Sequence, residues 1–288
     1  MATELKQAMH TPYDGSSKLF QIGLKPLDPA TWLNVDKHFG AYIAEKHRLY
    51  TEETANVLVS APESTAAQQE VLELITDHLS QHVRHPSERR DEGIRGSAIA
   101  TAGLLIQEDL VIMQKLGEDW CLTAASLCFP SAWNLHEKFM RPMQEIHGPV
   151  PGFGPGTRNA SLINRMFDNL RVEQPVIRWN WSLYGDNRLY HPASDNQMKN
   201  RFGEGRIDGR VFMRLERQTL RKLPKTGAIL FTIRIYIDPL EVLATHADGK
   251  ALAQAIADQL DALTAEELGY KGLVGEKQRL MERLRELS

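Results

Sequence analysis

The stretch AILFTIRIYI, residues 228–237, places an isoleucine or phenylalanine at every odd position from Ile229 to Ile237. Thr232, Arg234 and Tyr236 fall between these apolar residues. A period of two is typical of a strand that buries one face and leaves the other half-covered. The stretch therefore predicts a half-buried strand in an antiparallel sheet.

Four further segments of the chain predict strands of the same sheet. The segment VIRWNWSLY, residues 176–184, alternates in the same way, and residues 211–220 follow a weaker version of the pattern. Upstream, residues 110–116 and 120–129 are strand-like and are separated by the short turn Gly117-Glu-Asp119, which is typical of a β-hairpin. The chain therefore predicts five antiparallel strands.

Helical patterns surround these strands and one is inserted between them. The inserted helix is predicted near residues 159–170. Two helices are predicted before the hairpin, at 32–50 and 65–83, and two after the last strand, at 251–263 and 276–287. Thr65 with Gln68, and Thr264 with Glu267, have the spacing of a capping box at a helix start.

The order of two strands, a helical stretch and three strands is that of a PAS domain, a fold that commonly holds a cofactor between sheet and helices. We therefore expect an α+β fold with a PAS-like five-stranded antiparallel sheet, inserted helices, and N-terminal and C-terminal flanking helices. We expect residues 1–105 to pack on a core of residues 106–245, with 246–288 as C-terminal helices of one compact unit.

The composition excludes several classes of protein but does not indicate a particular function. Of 288 residues, 42% are hydrophobic and 25% charged, which excludes a disordered chain, and the net charge of −3 gives no nucleic-acid footprint. No apolar run approaches a membrane span, and the N-terminus has no apolar signal region. Cys121 and Cys128 form no metal or disulfide motif and suit a reducing cytosol, so a cytoplasmic protein is expected.

His147 is the histidine that the local sequence singles out. Three prolines and four glycines stiffen residues 147–156, and a metal-binding imidazole gains from a rigid backbone. The alternative is that these residues only turn the chain and that His147 caps the turn. Five other histidines lie in helical or charged stretches and are expected at the surface: His38, His47, His78, His82 and His85.

Charged residues in the middle of the late strands form the second candidate group. Arg178, Arg214 and Arg234 occupy such positions, together with Glu216. On an outer face they would be ordinary solvated side chains. On a face that meets a ligand, the planar guanidinium groups would bind carboxylates such as haem propionates, and Glu216 would attract a cationic amine.

Several phrases together resemble one known family. They are FQIGLKPLD at 20–28 with Trp32 and Asp36, FPSAW at 129–133 with Glu137 and Lys138, IHGPVP at 146–151, RWNW at 178–181, and RLERQTLRKLP at 214–224. With Gly227, Phe231, Ile233 and Arg234, this combination is similar to the haem-binding alpha subunits of haem-dependent oxidative N-demethylases. The likeness covers roughly residues 18–245.

The resemblance implies a function, a cofactor and partners. It implies haem b, bound non-covalently in a PAS-like fold, and oxidative removal of a methyl group from a small methylated amine such as dimethylamine, with release of formaldehyde. It implies O2 as oxidant and a separate reductase with FMN and a 2Fe-2S cluster. The chain has no nucleotide-binding motif, which agrees with the supply of electrons by a separate reductase. The oligomeric state stays open, a homo-oligomer included.

The resemblance also assigns residues. His147, in the phrase IHGPVP, becomes the axial ligand of the haem iron, with His136 as its rival. Glu216 and Arg217 become catalytic candidates, and Arg178, Arg214 and Arg234 become cofactor-binding candidates. The alternative functions are a PAS-type haem sensor and a binding module without turnover.

Overall fold

The computed structural model describes residues 8–83, 96–131, 133–192 and 200–287. These residues form one seven-stranded sheet in the order β1-β5-β6-β7-β3-β4-β2, with every neighbouring pair antiparallel. The strands are β1 Lys25–Pro26, β2 Leu58–Ser60, β3 Asp109–Leu116, β4 Asp119–Ser126, β5 Val176–Tyr184, β6 Phe212–Lys222 and β7 Ile229–Pro239.

Helices follow β1 and β2, separate β4 from β5, and follow β7. Among the described residues, none of them is long and apolar enough to cross a membrane. They are α1 Phe39–Glu52, α2 Thr54–Val57, α3 Thr65–His82, α4 Ala98–Leu104, α5 Leu135–Lys138, α6 Met143–Ile146, α7 Arg158–Asn169, α8 Gly249–Asp261, α9 Ala265–Tyr270 and α10 Lys277–Leu287.

The α+β class is confirmed, but the sheet is larger than the predicted five strands. The predicted strands correspond to β3–β7, and the structure adds β1 and β2 at the two edges. These edge strands have two and three residues, too few for an alternating pattern to be visible in the sequence. The PAS-like description and the division at residues 105 and 245 stay predictions.

Two local predictions near the N-terminus were wrong. The first long helix begins at Phe39, whereas Trp32 lies in the preceding segment, fully buried, where its indole Nε1 donates to Thr219 Oγ1 at 3.2 Å. Helix α3 begins at Thr65, but Thr65 makes no capping box, since its hydroxyl donates to the Pro62 carbonyl. The capping box at Thr264 is confirmed. The surface prediction for His85 falls outside the described residues.

The continuous register of β5, β6 and β7 separates two faces of the sheet. Asn180, Glu216 and Ile235 stand opposite one another and therefore point to the same side. We call this side the site face; on β5 and β6 it consists of Val176, Arg178, Asn180, Ser182, Arg214, Glu216, Gln218 and Leu220. The other side, the back face, carries Trp181, Leu215, Arg217, Thr219, Arg234 and Tyr236.

Half-buried apolar side chains border the apolar cluster on the site face. Trp133, Phe139, Ile146, Val150 and Tyr190 are among them. Their partly exposed surfaces are available to a further apolar group on the site face.

His78 is buried rather than at the surface, so the surface prediction for it was wrong. Only 7% of it is exposed, and its ring lies 5.2 Å from the ring of Trp32. Burial, followed by the charges of His82 and Arg221, lowers the pKa of His78 from 6.5 to about 4. The folded protein therefore holds a neutral imidazole where the unfolded chain would take up a proton.

We expect His78 to make the protein less stable in mild acid. The contribution of His78 to stability is complete above pH 6.5 and is lost as the pH falls toward 4. Between pH 7.5 and pH 5, the free energy of unfolding should fall by about 2 kcal/mol for this reason. Urea unfolding at both pH values measures it: His78→Phe should lose less stability than the wild type on acidification. His47→Phe, at an exposed position of α1, is the matched control and should respond like the wild type.

Candidate functional site

Helix α6 fixes both the backbone and the ring of His147. The residue follows the last turn of the helix, and its N–H donates to the Met143 carbonyl at 3.0 Å. The ring nitrogen Nδ1 lies 3.1 Å from the same carbonyl. A carbonyl only accepts, so the proton is assigned to Nδ1 and the lone pair to Nε2. Among the described residues, Nε2 has no hydrogen-bond partner.

The surroundings keep this imidazole neutral. Burial lowers the pKa of His147 from 6.5 to about 4, and the positive charges of Lys138 and Arg178 act in the same direction. Lys138 donates its ammonium group to the Ile146 carbonyl at the end of α6. A neutral imidazole with a fixed tautomer and an available Nε2 is the form that binds a metal.

Glu216 is held on the site face by three neutral donors. The Ser131 hydroxyl makes a short hydrogen bond to Oε1, while Gln218 Nε2 and Asn180 Nδ2 donate to Oε2 at 2.6 and 3.3 Å. Only 9% of Glu216 is exposed. The carboxylate is therefore oriented by the protein without a direct ion pair among the described residues.

Arg178 lies beside this carboxylate on the site face and makes no hydrogen bond within the described part of the chain. Its Nε is buried without a partner, and burial lowers its pKa while the charge of Glu216 opposes the shift. A buried guanidinium nitrogen without a hydrogen bond is costly. Arg178 is therefore suited to bind an anion that the chain itself does not supply.

Arg214 shares the site face, but its guanidinium is occupied by the protein. It donates to the carbonyls of Phe129, Leu189 and Arg188 at 2.8, 3.0 and 3.2 Å, to Pro130 O at 3.3 Å, and through Nε to Ser131 Oγ at 3.1 Å. It is 1% exposed. Arg214 therefore clamps two loops over the sheet, and this geometry does not support the predicted role in binding a haem carboxylate.

Arg217 and Arg234 lie on the back face, although they were expected at the site. Arg217 donates to the Trp32 and Thr31 carbonyls at 2.8 and 2.6 Å. Arg234 forms a buried ion pair with Asp36 at 2.8 Å. Because side chains of neighbouring strand positions point to opposite sides, neither arginine can contact a group on the site face. Both anchor the segment that carries Trp32 and Asp36.

His136, the rival ligand, lies in α5 with an exposed side chain. His147 is the better placed of the two, since its ring is fixed and largely covered beside Arg178.

The sequence alone missed four polar residues of this region. Ser131, Asn180 and Gln218 surround Glu216, and Lys271 reaches β5 from the C-terminal turn, where its ammonium group donates to the Trp181 carbonyl at 2.8 Å. The charge of Glu216 raises the pKa of Lys271, although burial dominates and lowers it to about 8. Alternation along β6 already places Gln218 on the face of Glu216, whereas Asn180 could be identified only from the register of β5 and β6.

An apolar groove continues the site face toward α7. It has a volume of about 510 Å³ and is lined by Phe167, Leu170, Val176 and Leu220, among others. The pair Val176–Leu220 is the neighbouring site-face row to Arg178–Gln218 in the register of β5 and β6. Apolar surface and the cation Arg178 therefore lie side by side.

These features fit a haem group: an imidazole nitrogen without a hydrogen-bond partner among the described residues, half-buried apolar side chains, and a partly covered arginine that makes no hydrogen bond to them. A sequence-family model described as haem-dependent oxidative N-demethylase, alpha subunit-like, matches residues 23–88 and 85–281. The chain belongs to this family. The description of these alpha-subunit-like proteins implies haem dependence, oxidative chemistry and a multi-subunit enzyme. In this N-demethylase alpha-subunit-like chain, the phrases IHGPVP and RWNW supply His147 and Arg178 to the same side of the sheet.

Proposed function

We propose that the protein binds haem b on the site face and removes a methyl group from a small methylated amine by oxidation. The observation that carries the proposal is His147, whose Nδ1 is tied to the Met143 carbonyl while Nε2 has no partner among the described residues. In this proposal Nε2 would hold the haem iron.

The cation Arg178 near His147 supports an anionic cofactor. Lys138 and Arg178 act electrostatically on the imidazole, while Glu137 acts on Lys138 and Glu216 on Arg178. We assign one propionate to Arg178, because its guanidinium has hydrogen-bond donors that the described chain leaves unused.

The bound haem would supply the oxidising chemistry with O2, and the chain would place the substrate. Glu216 is oriented to hold the ammonium group of the amine, and the surrounding apolar side chains would keep water away from its methyl group. The net reaction consumes O2, two electrons and two protons, and gives formaldehyde, the demethylated amine and water. Arg217 contributes from the back face, as an anchor of the Trp32 segment.

The two electrons would come from a separate reductase subunit. We propose FMN and a 2Fe-2S cluster as its cofactors, and an assembly in the cytoplasm. The chain itself has none of the nucleotide-binding motifs that such a component needs.

The decisive experiment combines a spectrum with an assay. We expect the purified protein to show a Soret band near ~400 nm at one haem per chain, a position set by the porphyrin. With a reductase, O2 and dimethylamine it should release one formaldehyde per two electrons consumed. Full haem loading without formaldehyde from any short methylamine would contradict the enzyme assignment. Reversible O2 or CO binding without turnover would indicate a haem sensor instead.

A further inference from the structure

The outer edge of β5 is open for most of its length. Within the described chain, β1 pairs only with the first two residues of β5, so residues 178–184 have no strand neighbour on that side. Lys271 covers one position of this edge, since its ammonium group donates to the Trp181 carbonyl. Because Arg178 lies on the same stretch, the open edge leads directly to the candidate site.

The chain crosses this edge in residues 17–24, which we call the strap. Leu19 packs against the apolar cluster on the back face, whereas Phe20 packs against the cluster on the site face. The strap therefore passes from one side of the sheet to the other between these two residues. Within the described chain, its backbone makes no hydrogen bond to another segment. A segment held by side-chain contacts alone opens at low cost.

Phe20 makes the contacts that hold the strap against α9. Its ring lies edge-on to the ring of Tyr270, with 5.8 Å between the centroids, and Lys271 Nζ lies 5.3 Å from its centroid. The backbone of Phe20 has a φ of 55°, in the left-handed region that is costly for a bulky residue. Backbone strain of this kind occurs at ligand clamps and switch regions. The ring contacts offset a strain that is relieved when the strap moves away.

Tyr270 places this contact in front of the charged groups of the site. Burial raises the pKa of Tyr270 to about 12, and the charge of Glu216 acts in the same direction, while Arg178 opposes it. The hydroxyl group is therefore close to these charges, although 42% of the residue is exposed. The pair of rings lies between the solvent and the site face.

The α9 side of the pair is the fixed side. Helix α9 begins with the capping box at Thr264, and the carbonyl of Lys271, directly after the helix, accepts from Arg201 Nη1 at 3.0 Å. Movement of this side would break hydrogen bonds, whereas movement of the strap would break only side-chain contacts.

We propose that Phe20 and Tyr270 form a gate at the open edge of β5, and that the strap moves aside to admit small solutes to the site face. Both are access-controlling residues and take no part in the chemistry. The inference rests on the proposed function in so far as the site face is where the substrate reacts.

Stopped-flow binding of imidazole to the ferric, haem-loaded protein measures passage through the gate without turnover. Phe20→Ala and Tyr270→Ala each remove one ring of the pair, so association should become about threefold to tenfold faster. Dissociation should become faster by the same factor, which leaves the dissociation constant unchanged, because a gate alters the rates of passage and not the bound state. Tyr270→Phe keeps the ring, and Gln21→Ala changes an exposed neighbour in the strap, so both controls should keep the wild-type rates.

Trypsin cleavage after Lys18 follows the strap in the haem-free protein. Lys18 is exposed within the strap, and the next lysine, Lys25, is protected from trypsin by Pro26. Cleavage of a folded protein tracks the population of the open form. The fragment that begins at Leu19 should therefore appear about threefold to tenfold faster in both alanine variants, and at the wild-type rate in both controls.

The outcomes separate this inference from the proposed function. Formaldehyde release from dimethylamine, together with unchanged imidazole rates in both alanine variants, would overturn the inference and leave the function standing. A changed dissociation constant would also overturn it, since the rings would then contact the bound ligand. A protein that takes up no haem would contradict the function. Cleavage after Lys18 would then decide the inference: equal rates in the wild type and the alanine variants would overturn it, and faster cleavage in the variants would support it.

Discussion

Replacing His147 with alanine is expected to weaken haem binding at least ~100-fold, because loss of a supporting contact to a metal ligand already costs tenfold to 100-fold in affinity. The described chain offers no second imidazole that is both fixed and covered at this position. Haem titration of the apoprotein, followed at the Soret band, measures the loss. Added free imidazole should restore part of the band, since it can occupy the space of the deleted ring.

His136→Ala is the matched control, since it removes an exposed imidazole from the same helical region. We expect wild-type haem affinity from this variant. An unchanged Soret band in His147→Ala, together with loss of the band in His136→Ala, would transfer the ligand assignment to His136.

Arg214→Met is expected to cause the largest loss of stability among the arginine variants, about 3 kcal/mol or more in the free energy of unfolding. The substitution leaves the carbonyls of Phe129 and Leu189 without their donor and releases both loops from β6. Urea unfolding of the haem-free protein at neutral pH measures the effect. Arg214→Lys should be intermediate, because an ammonium group can replace some but not all of these bonds.

Arg178→Met is the comparison that distinguishes the structural role of Arg214 from the proposed cofactor-binding role of Arg178. The buried Nε of Arg178 has no partner in the described chain, so its removal should leave the stability of the apoprotein unchanged or slightly higher. Haem affinity should fall about tenfold, by loss of one charge-assisted contact to a propionate. The reverse pattern, with Arg178→Met unfolding the apoprotein and Arg214→Met weakening only haem binding, would exchange the two roles.

The long strands could be read from the sequence because alternation is a local property. Residues 176–184 and 229–239 each keep one face apolar over nine or more positions, and the structure has strands there. The edge strands β1 and β2 could not be found, since two or three residues carry no period. The start of α1 was missed because burial of Trp32 against Thr219 depends on a residue 187 positions away.

In the candidate site, too, local sequence patterns predicted some residues, and strand pairing decided the others. His147 was identified from the stiff loop that carries it, and its ring contacts the Met143 carbonyl four residues before it. The arginines could not be sorted in the same way. Arg178 and Arg234 are both mid-strand cations, yet the register of β5, β6 and β7 places them on opposite faces.

The sequence by itself determined the α+β class, the five long strands, the family and the candidate ligand His147, because each rests on residues that are neighbours along the chain. Tertiary structure decided which charged side chains meet on the site face and which ones hold loops. The pairing of β5 with β6 brings Asn180 opposite Glu216, and a shift of one residue in that pairing would turn Asn180 to the other face. Ser131 reaches Glu216 from a loop that Arg214 holds over the sheet.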